Sequence, residues 1–285
     1  MRRKHLDSEE VQAFVDWMRK HTDKCPNTVD SYAHHLERIY REMGSIDKHS
    51  VEKFRDTMVG KYSAKTVHLS IISYNCYIEK FKRKPTGKVK NIKIERTLFL
   101  DNVPTEKEVQ TLLDGLRQDE NWRVYYLVLL LAQTGARVSE IIKFQLEDCQ
   151  QGFAKIIGKG RKQRTIFIPD ATAKEILSYY KEKEKRETGY VLASKFGSRF
   201  TDGNLTTRGV AQILKNAGAK YGVRKEVCHP HAFRHYFAKQ FLKASKNNIV
   251  MLSDLLGHGS VDTTAIYLRM SQNEAKKKFN KLVNW

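Results

Sequence analysis

The side chains with the most chemical promise lie in the second half of the chain, in three short phrases. The first, Thr134-Gly135-Ala136-Arg137-Val138-Ser139-Glu140, sets an arginine at a helix start with Glu140 three residues on, one turn away on the same face. Taken alone this is most often a surface ion pair. The second, His229-Pro230-His231-Ala232-Phe233-Arg234-His235, brings His231 and Arg234 side by side on a helix. His231 and His235 also have the i,i+4 spacing of a zinc helix, but no glutamate follows the first histidine and no cysteine pair completes a metal site. In the third, Leu255-Leu256-Gly257-His258-Gly259-Ser260, the histidine precedes Tyr267 by nine residues. One tyrosine among 13 is usually a packed aromatic, so Tyr267 stands out only in company. The company suits phosphoryl transfer. Two arginines can grip a phosphodiester, histidines can donate to its oxygens or relay protons, and a lysine can protonate a departing alkoxide. Once such groups neutralise the phosphate, a phenolic oxygen is a competent nucleophile.

In order along the chain come Arg137, a basic hairpin tip Gly158-Lys159-Gly160-Arg161-Lys162-Gln163-Arg164, His231, Arg234, His258 and Tyr267. The set resembles the tyrosine recombinase (lambda integrase, Xer-like) family, phrase by phrase from Thr134 to Tyr267. Departures are mild: Phe233 stands where the family usually has leucine, and Tyr236 follows His235 where threonine is common. Neither removes a chemical group. Tyr236 has no matching phrase and shares a helix with Arg234, so Tyr267 is the expected nucleophile.

The resemblance implies that Arg137 and Arg234 hold the non-bridging oxygens of the scissile phosphate and that His258 adds a donor. Lys159 would protonate the leaving 5′-oxygen, with Lys162 as rival, His231 would assist proton transfer, and Glu140 would orient the site. It further implies a 3′-phosphotyrosine link, a Holliday junction and a synapsed tetramer on double-stranded DNA with inverted-repeat core sites. No metal, ATP or other cofactor is expected. Integration, excision or resolution for a mobile element is the favoured role; Xer-type dimer resolution is the alternative. From other classes come a type IB topoisomerase, a DNA-binding protein without catalysis, and a metal-dependent nuclease.

The elements that must position these residues fall in two parts. The fold class expected is mainly α, with a helical N-terminal core-binding domain at 1–85, a basic linker at 86–104 and an α+β catalytic domain at 105–285. In the first part, apolar residues recur at helical spacing behind Ser8, Thr28, Ser50 and Ser63, giving four helices. Residues 82–104 lose that period. After them, Thr105 and Glu108 form a capping box, and 122–132 is apolar on nearly all sides, a buried helix that ends at Gly135. Residues 153–157 and 165–168 read as strands of one hairpin, and 189–203 as irregular. The tail, 271–285, reads as a basic helix with Phe279, Leu282, Val283 and Trp285 as its apolar stripe; the resemblance implies that it docks on a neighbouring protomer.

Charge agrees with a nucleic-acid partner. The 285 residues hold 52 Lys+Arg against 32 Asp+Glu, a net charge of +20. Residues 1–90 carry 19 − 12 = +7 and the remainder 33 − 20 = +13, so both parts are basic. The longest apolar run, 124–132, is far short of the roughly 20 residues of a membrane span. The charged N-terminus has no apolar stretch, and the scattered Cys25, Cys76, Cys149 and Cys228 form no Cys-x-x-Cys pair, so a cytoplasmic protein with reduced thiols is expected.

Overall fold

The computed structural model describes residues 8–94, 100–157, 163–196, 199–258 and 260–282, with backbone alone at 157, 194–196, 199–204 and 273. The chain is mostly helical with short β-ladders, in two compact units, Met1–Arg96 and Thr97–Trp285.

The first unit holds α1 (Glu9–His21), α2 (Pro26–Met43), α3 (Lys48–Thr57) and α4 (Ala64–Cys76), which runs on as a π-helical turn, Tyr77–Phe81. Ser8 and Ser63 cap α1 and α4 as expected, each accepting from a backbone N–H three residues on. Two starts differ. α2 begins at Pro26, ahead of Thr28, because the fixed φ of proline suits a first helical turn. α3 is capped by Asp47 rather than Ser50, since the carboxylate accepts the Ser50 N–H at 3.0 Å. The apolar stripes meet in a core around Phe14, Leu36, Phe54, Ile71 and Tyr74. Residues 85–92 run along this unit: the Asn75 side chain bonds both the N–H and the carbonyl of Val89, each at 2.9 Å, and Val89 is buried.

The second unit opens with α5 (Glu106–Gln118), whose Thr105–Glu108 capping box forms as the sequence predicts, and α6 (Trp122–Thr134). α6 is buried from Val124 to Ala132, packs on α5, and stops at Gly135 in the left-handed region. Then follow α7 (Val138–Ile141), α8 (Leu146–Gln151), β1 (Phe153–Ile157), β2 (Gln163–Phe167) and α9 (Asp170–Glu182). β1 and β2 pair antiparallel from Phe153↔Phe167 to Ile157↔Gln163. The stretch expected to be irregular carries a second hairpin, β3 (Ala193–Phe196) with β4 (Arg199–Asn204), whose ladder has a register shift. That shift breaks the alternation by which strands are read.

The remaining elements are α10 (Thr207–Lys220), α11 (Pro230–Ala244), α12 (Ile249–Leu256), α13 (Val261–Thr264), a 3₁₀ turn at Ala265–Leu268, and α14 (Gln272–Leu282). α11 packs across α6. A separate apolar cluster of Leu100, Ala238, Leu242, Leu252 and Leu256 encloses the ring of Tyr267. On α14, Phe279 and Leu282 are 62% and 63% exposed, so this part of the stripe does not pack on its own unit; Val283 and Trp285 lie outside the described residues.

The large core of the second unit predicts that Phe144, fully buried between α7 and α8, is a stability residue. Phe144→Ala should lower stability by about 3–5 kcal/mol, read as a fall in denaturant midpoint at unchanged slope.

Candidate active site

Arg137 is the residue before α7, where the chain turns off the end of α6 in extended conformation. Its backbone N–H donates to Glu140 Oε2 at 2.7 Å and its Nη1 to Glu140 Oε1 at 3.2 Å. The Glu140 side chain is 7% exposed and that of Arg137 46%, so the carboxylate is a buried anchor and the guanidinium an open one. A third donor reaches the same carboxylate: Arg164 Nη2, from β2, at 2.7 Å.

Arg234 lies on α11 and is 4% exposed. Its Nη1 donates to the Gly135 carbonyl at 2.6 Å and its Nη2 to the Leu256 carbonyl at 2.8 Å. Burial, then the nearby charge of Arg137, pull its pKa down to about 10, which leaves it charged at neutral pH. His258 follows the left-handed Gly257 that ends α12. Its Nε2 lies 3.1 Å from Arg234 Nη2 and its Nδ1 2.7 Å from Thr264 Oγ1. A guanidinium only donates, so Nε2 is the acceptor and the proton of the neutral ring sits on Nδ1. Burial first, then Arg234, hold this imidazole down at about 4.

Tyr267 lies in the 3₁₀ turn, 5% exposed. Its ring lies 6.2 Å from that of His258, nearly parallel, and 5.3 Å from that of His235, with the charge of Arg234 close enough to act on its phenol. Burial raises its pKa above the ordinary phenol value, against the opposing pull of Arg234 and Arg137. His231, exposed on the first turn of α11, packs edge-on against His235 at 4.2 Å. His235 is held down at about 4, chiefly by burial and then by His231, and its Nδ1 is buried without a partner.

Arg137, Glu140, Arg234, His258 and Tyr267 therefore converge, with His231 reaching the nucleophile's neighbourhood through His235. Lys159 and Lys162 lie outside the described residues, but the strands that carry them do reach the site, through Arg164. Tyr236 is half-buried against the main core and makes no contact of this kind. Among the described residues no group of three or more His, Cys, Asp or Glu side chains gathers as a metal would need. Three contributors escaped the sequence reading. Thr264 and His235 have no signal beyond their phrases. Arg164 has one: strand alternation puts it on the same face as Ile166, the buried side, which is an unusual place for a charge.

This arrangement can bind an anion, with two guanidinia and an imidazole around a phenol. The comparisons with known proteins agree with that chemistry. The model of the phage integrase family matches residues 102–274. The chain is 32% identical over 283 residues to the tyrosine recombinase XerA of Pyrococcus furiosus, covering 97% of this chain and 95% of that protein. It is 23% identical to the tyrosine recombinase XerD of Staphylococcus haemolyticus, covering 95% and 97%. Among solved structures, the XerH recombinase bound to palindromic difH substrate in a post-cleavage complex has a TM-score of 0.68 at 17% identity, covering 95% of this chain and 83% of that one. A lambda integrase dimer bound to a COC′ core site has a TM-score of 0.66 at 16% identity, covering 90% and 93%. These two likenesses show a shared fold.

The two buried imidazoles give a pH dependence. An unfolded histidine takes up its proton near 6.5, whereas His235 and His258 resist it until about 4. Their pKa values are depressed on folding, so the stability they carry is intact above about 6.5 and is lost as the pH falls toward 4. The denaturant midpoint should drop between pH 7 and pH 4.5, and His258→Asn should flatten that drop; an equal drop in both proteins would refute it.

Proposed function

We propose the roles of these groups from the premise that the chain belongs to the phage integrase family and is a tyrosine recombinase, an enzyme of site-specific DNA recombination. The observation that carries the assignment is the packing of the Tyr267 ring beside His258, whose Nε2 lies on the buried guanidinium of Arg234. Tyr267 Oη attacks the scissile phosphorus, the bond to the 5′-oxygen breaks, and a 3′-phosphotyrosine forms. Arg137 and Arg234 hold the non-bridging oxygens. The negative charge of the phosphate reverses the electrostatics that keep His258 neutral, so its Nε2 gains a proton and becomes a donor. Lys159 supplies the proton to the leaving 5′-oxygen, and His231 assists departure of the phenol proton. Glu140 orients Arg137.

The 5′-hydroxyl of a partner strand then attacks the phosphotyrosine, and two such exchanges make a Holliday junction that two more resolve. No metal or ATP enters, because the phosphotyrosine conserves the energy of the broken bond. Residues 1–85 serve as the core-binding domain, 86–104 as the linker and 105–285 as the catalytic domain; the positive charge of both parts supports their joint hold on a duplex. The exposed Phe279 and Leu282 on α14 support docking of this helix on a neighbour, within a tetramer on inverted-repeat sites. Among the described residues no helix is long and apolar enough to cross a membrane, in keeping with a cytoplasmic enzyme. Its service is to a mobile element, by integration, excision or resolution. The full-length likeness to proteins named XerA and XerD gives a second reading, resolution of chromosome or plasmid dimers. A recombination site at the ends of a mobile segment supports the first, and a single site in a circular replicon the second.

Nicked site DNA incubated with the protein in chelator tests the chemistry. Wild type should yield a protein–DNA adduct on a denaturing gel, Tyr267→Phe should yield none while still shifting the DNA, and Arg137→Ala should slow adduct formation by ~10²–10³. Adduct from Tyr267→Phe would remove this tyrosine from the mechanism.

Lys159 and Lys162 are separated by the leaving group. Substituting the general acid should cost ~10²–10⁴ in cleavage rate, and a 5′-bridging sulfur, which departs without protonation, should erase that cost. We expect this rescue for Lys159→Ala and not for Lys162→Ala, and the reverse would exchange their roles.

A further inference from the structure

Arg164 satisfies a buried carboxylate and a helix end at once. Its side chain is 12% exposed. Nη2 donates to Glu140 Oε2 at 2.7 Å and Nη1 to the Leu255 carbonyl at 3.0 Å, while Nε is buried without a partner. Burial lowers its pKa, against the pull of Glu140. The side chain lies against the turn that leads to His258: a Cβ added at Gly257 would meet Arg164 Cδ at 2.7 Å and Nη1 at 2.9 Å. Such placement costs free energy in desolvation and ordering, so a burial of this kind needs a return elsewhere.

From this geometry we infer that Arg164 is a positioning residue of the cleavage reaction, one that keeps the charge of Arg137 available to the phosphate and holds the His258 turn beside it. Glu140 has one negative charge and two guanidinia on it. With Arg164 in place, Glu140 is already neutralised inside the fold, and the half-exposed Arg137 carries a net positive charge into the open site. Without Arg164, Arg137 is the one charged partner left to a buried carboxylate among the described residues; it is drawn onto Glu140, and its field at the phosphate is cancelled. The same loss frees the Leu255 carbonyl at the C-terminus of α12, one turn from His258. A shared cause thus weakens two phosphate ligands, although Arg164 itself reaches neither phosphate nor nucleophile.

The inference rests on the proposed role of Arg137, and the experiment separates the two. Arg164→Lys keeps the charge without the fork, and Arg164→Gln keeps some hydrogen bonding without the charge. Strand cleavage of nicked site DNA is measured beside DNA binding and thermal unfolding, on an ordinary phosphodiester and on a methylphosphonate, in which a neutral methyl replaces one non-bridging oxygen. Removing that charge removes the need for the group that neutralises it, so a defect in charge neutralisation shrinks on the methylphosphonate, whereas a general loss of fold or binding does not. On the phosphodiester, Arg164→Gln should lose roughly tenfold or more in cleavage with DNA binding near wild type, and Arg164→Lys less. On the methylphosphonate the Arg164→Gln defect should narrow to within about threefold. Equal defects on both substrates, unchanged cleavage, or failure of both variants to fold would overturn the inference. If Arg137→Ala itself shows no narrowing, it is the role of Arg137 that fails.

Discussion

The buried charge of Arg234 is the constraint around which the second unit is arranged. A guanidinium removed from water is tolerable only where acceptors replace the water, and a helical protein offers its surplus acceptors at helix C-termini, where the last carbonyls have no intrahelical partner and the dipole is negative. Two such ends meet at Arg234. Gly135 ends α6 and gives its carbonyl to Nη1; Leu256 ends α12 and gives its carbonyl to Nη2. Both helices stop at a glycine in the left-handed region, Gly135 at φ 60° and Gly257 at φ 61°. At Gly135 the chain has a further reason to use glycine, because a Cβ there would strike the ring of Phe237. One charge on α11 therefore fixes where α6 and α12 end. Those ends deliver Arg137 two residues beyond one and His258 two residues beyond the other.

The consequence is a site whose positive charge exceeds its negative charge. Among the described residues Arg137, Arg164 and Arg234 face a single carboxylate, Glu140, and the surplus acts on His258 and Tyr267. It adds to burial in keeping His258 neutral, and it offsets part of the burial that raises the Tyr267 phenol. A site of this kind holds a protonated nucleophile, a neutral imidazole and a field already directed at an anion. Little of the stabilisation offered to a phosphoryl transition state must then be created during the reaction, which is the condition for electrostatic preorganisation to lower a barrier.

Legibility in the sequence followed the range of the interactions. Ser8, Ser63 and the Thr105–Glu108 box act within one helical turn, and each was readable from spacing alone. Pro26 and Asp47 displaced Thr28 and Ser50 as helix starts because two local signals competed within a few residues, and spacing does not rank them. The β3–β4 hairpin was hidden by its register shift. At the site, the residues with chemical types in family phrases were legible, and the groups that hold them were not. Thr264 bonds His258 across six residues, and Arg164 bonds Glu140 across 24 and Leu255 across 91. Such contacts exist only once the helices have docked, so no local pattern reports them. Arg164 left one trace, its parity with Ile166, which identifies a buried charge without naming its partner.

The donors of Arg234 also limit how a phosphate can be held. Two of its N–H groups are committed to the Gly135 and Leu256 carbonyls, and these cannot be released without loosening α6 and α12. A third goes to His258 Nε2, so both Nη2 protons are committed and one N–H remains on each of Nε and Nη1. A bidentate grip on a phosphate needs two. The two free protons do not share an edge of the guanidinium, so a bidentate grip draws in Nη2, and His258 is the partner it can give up. Release of His258 suits an imidazole that becomes a donor beside the anion. The ring of Tyr267 stacks beside that imidazole at 6.2 Å, so the exchange of partners at Arg234 takes place at the nucleophile's own neighbour and couples phosphate binding to its position.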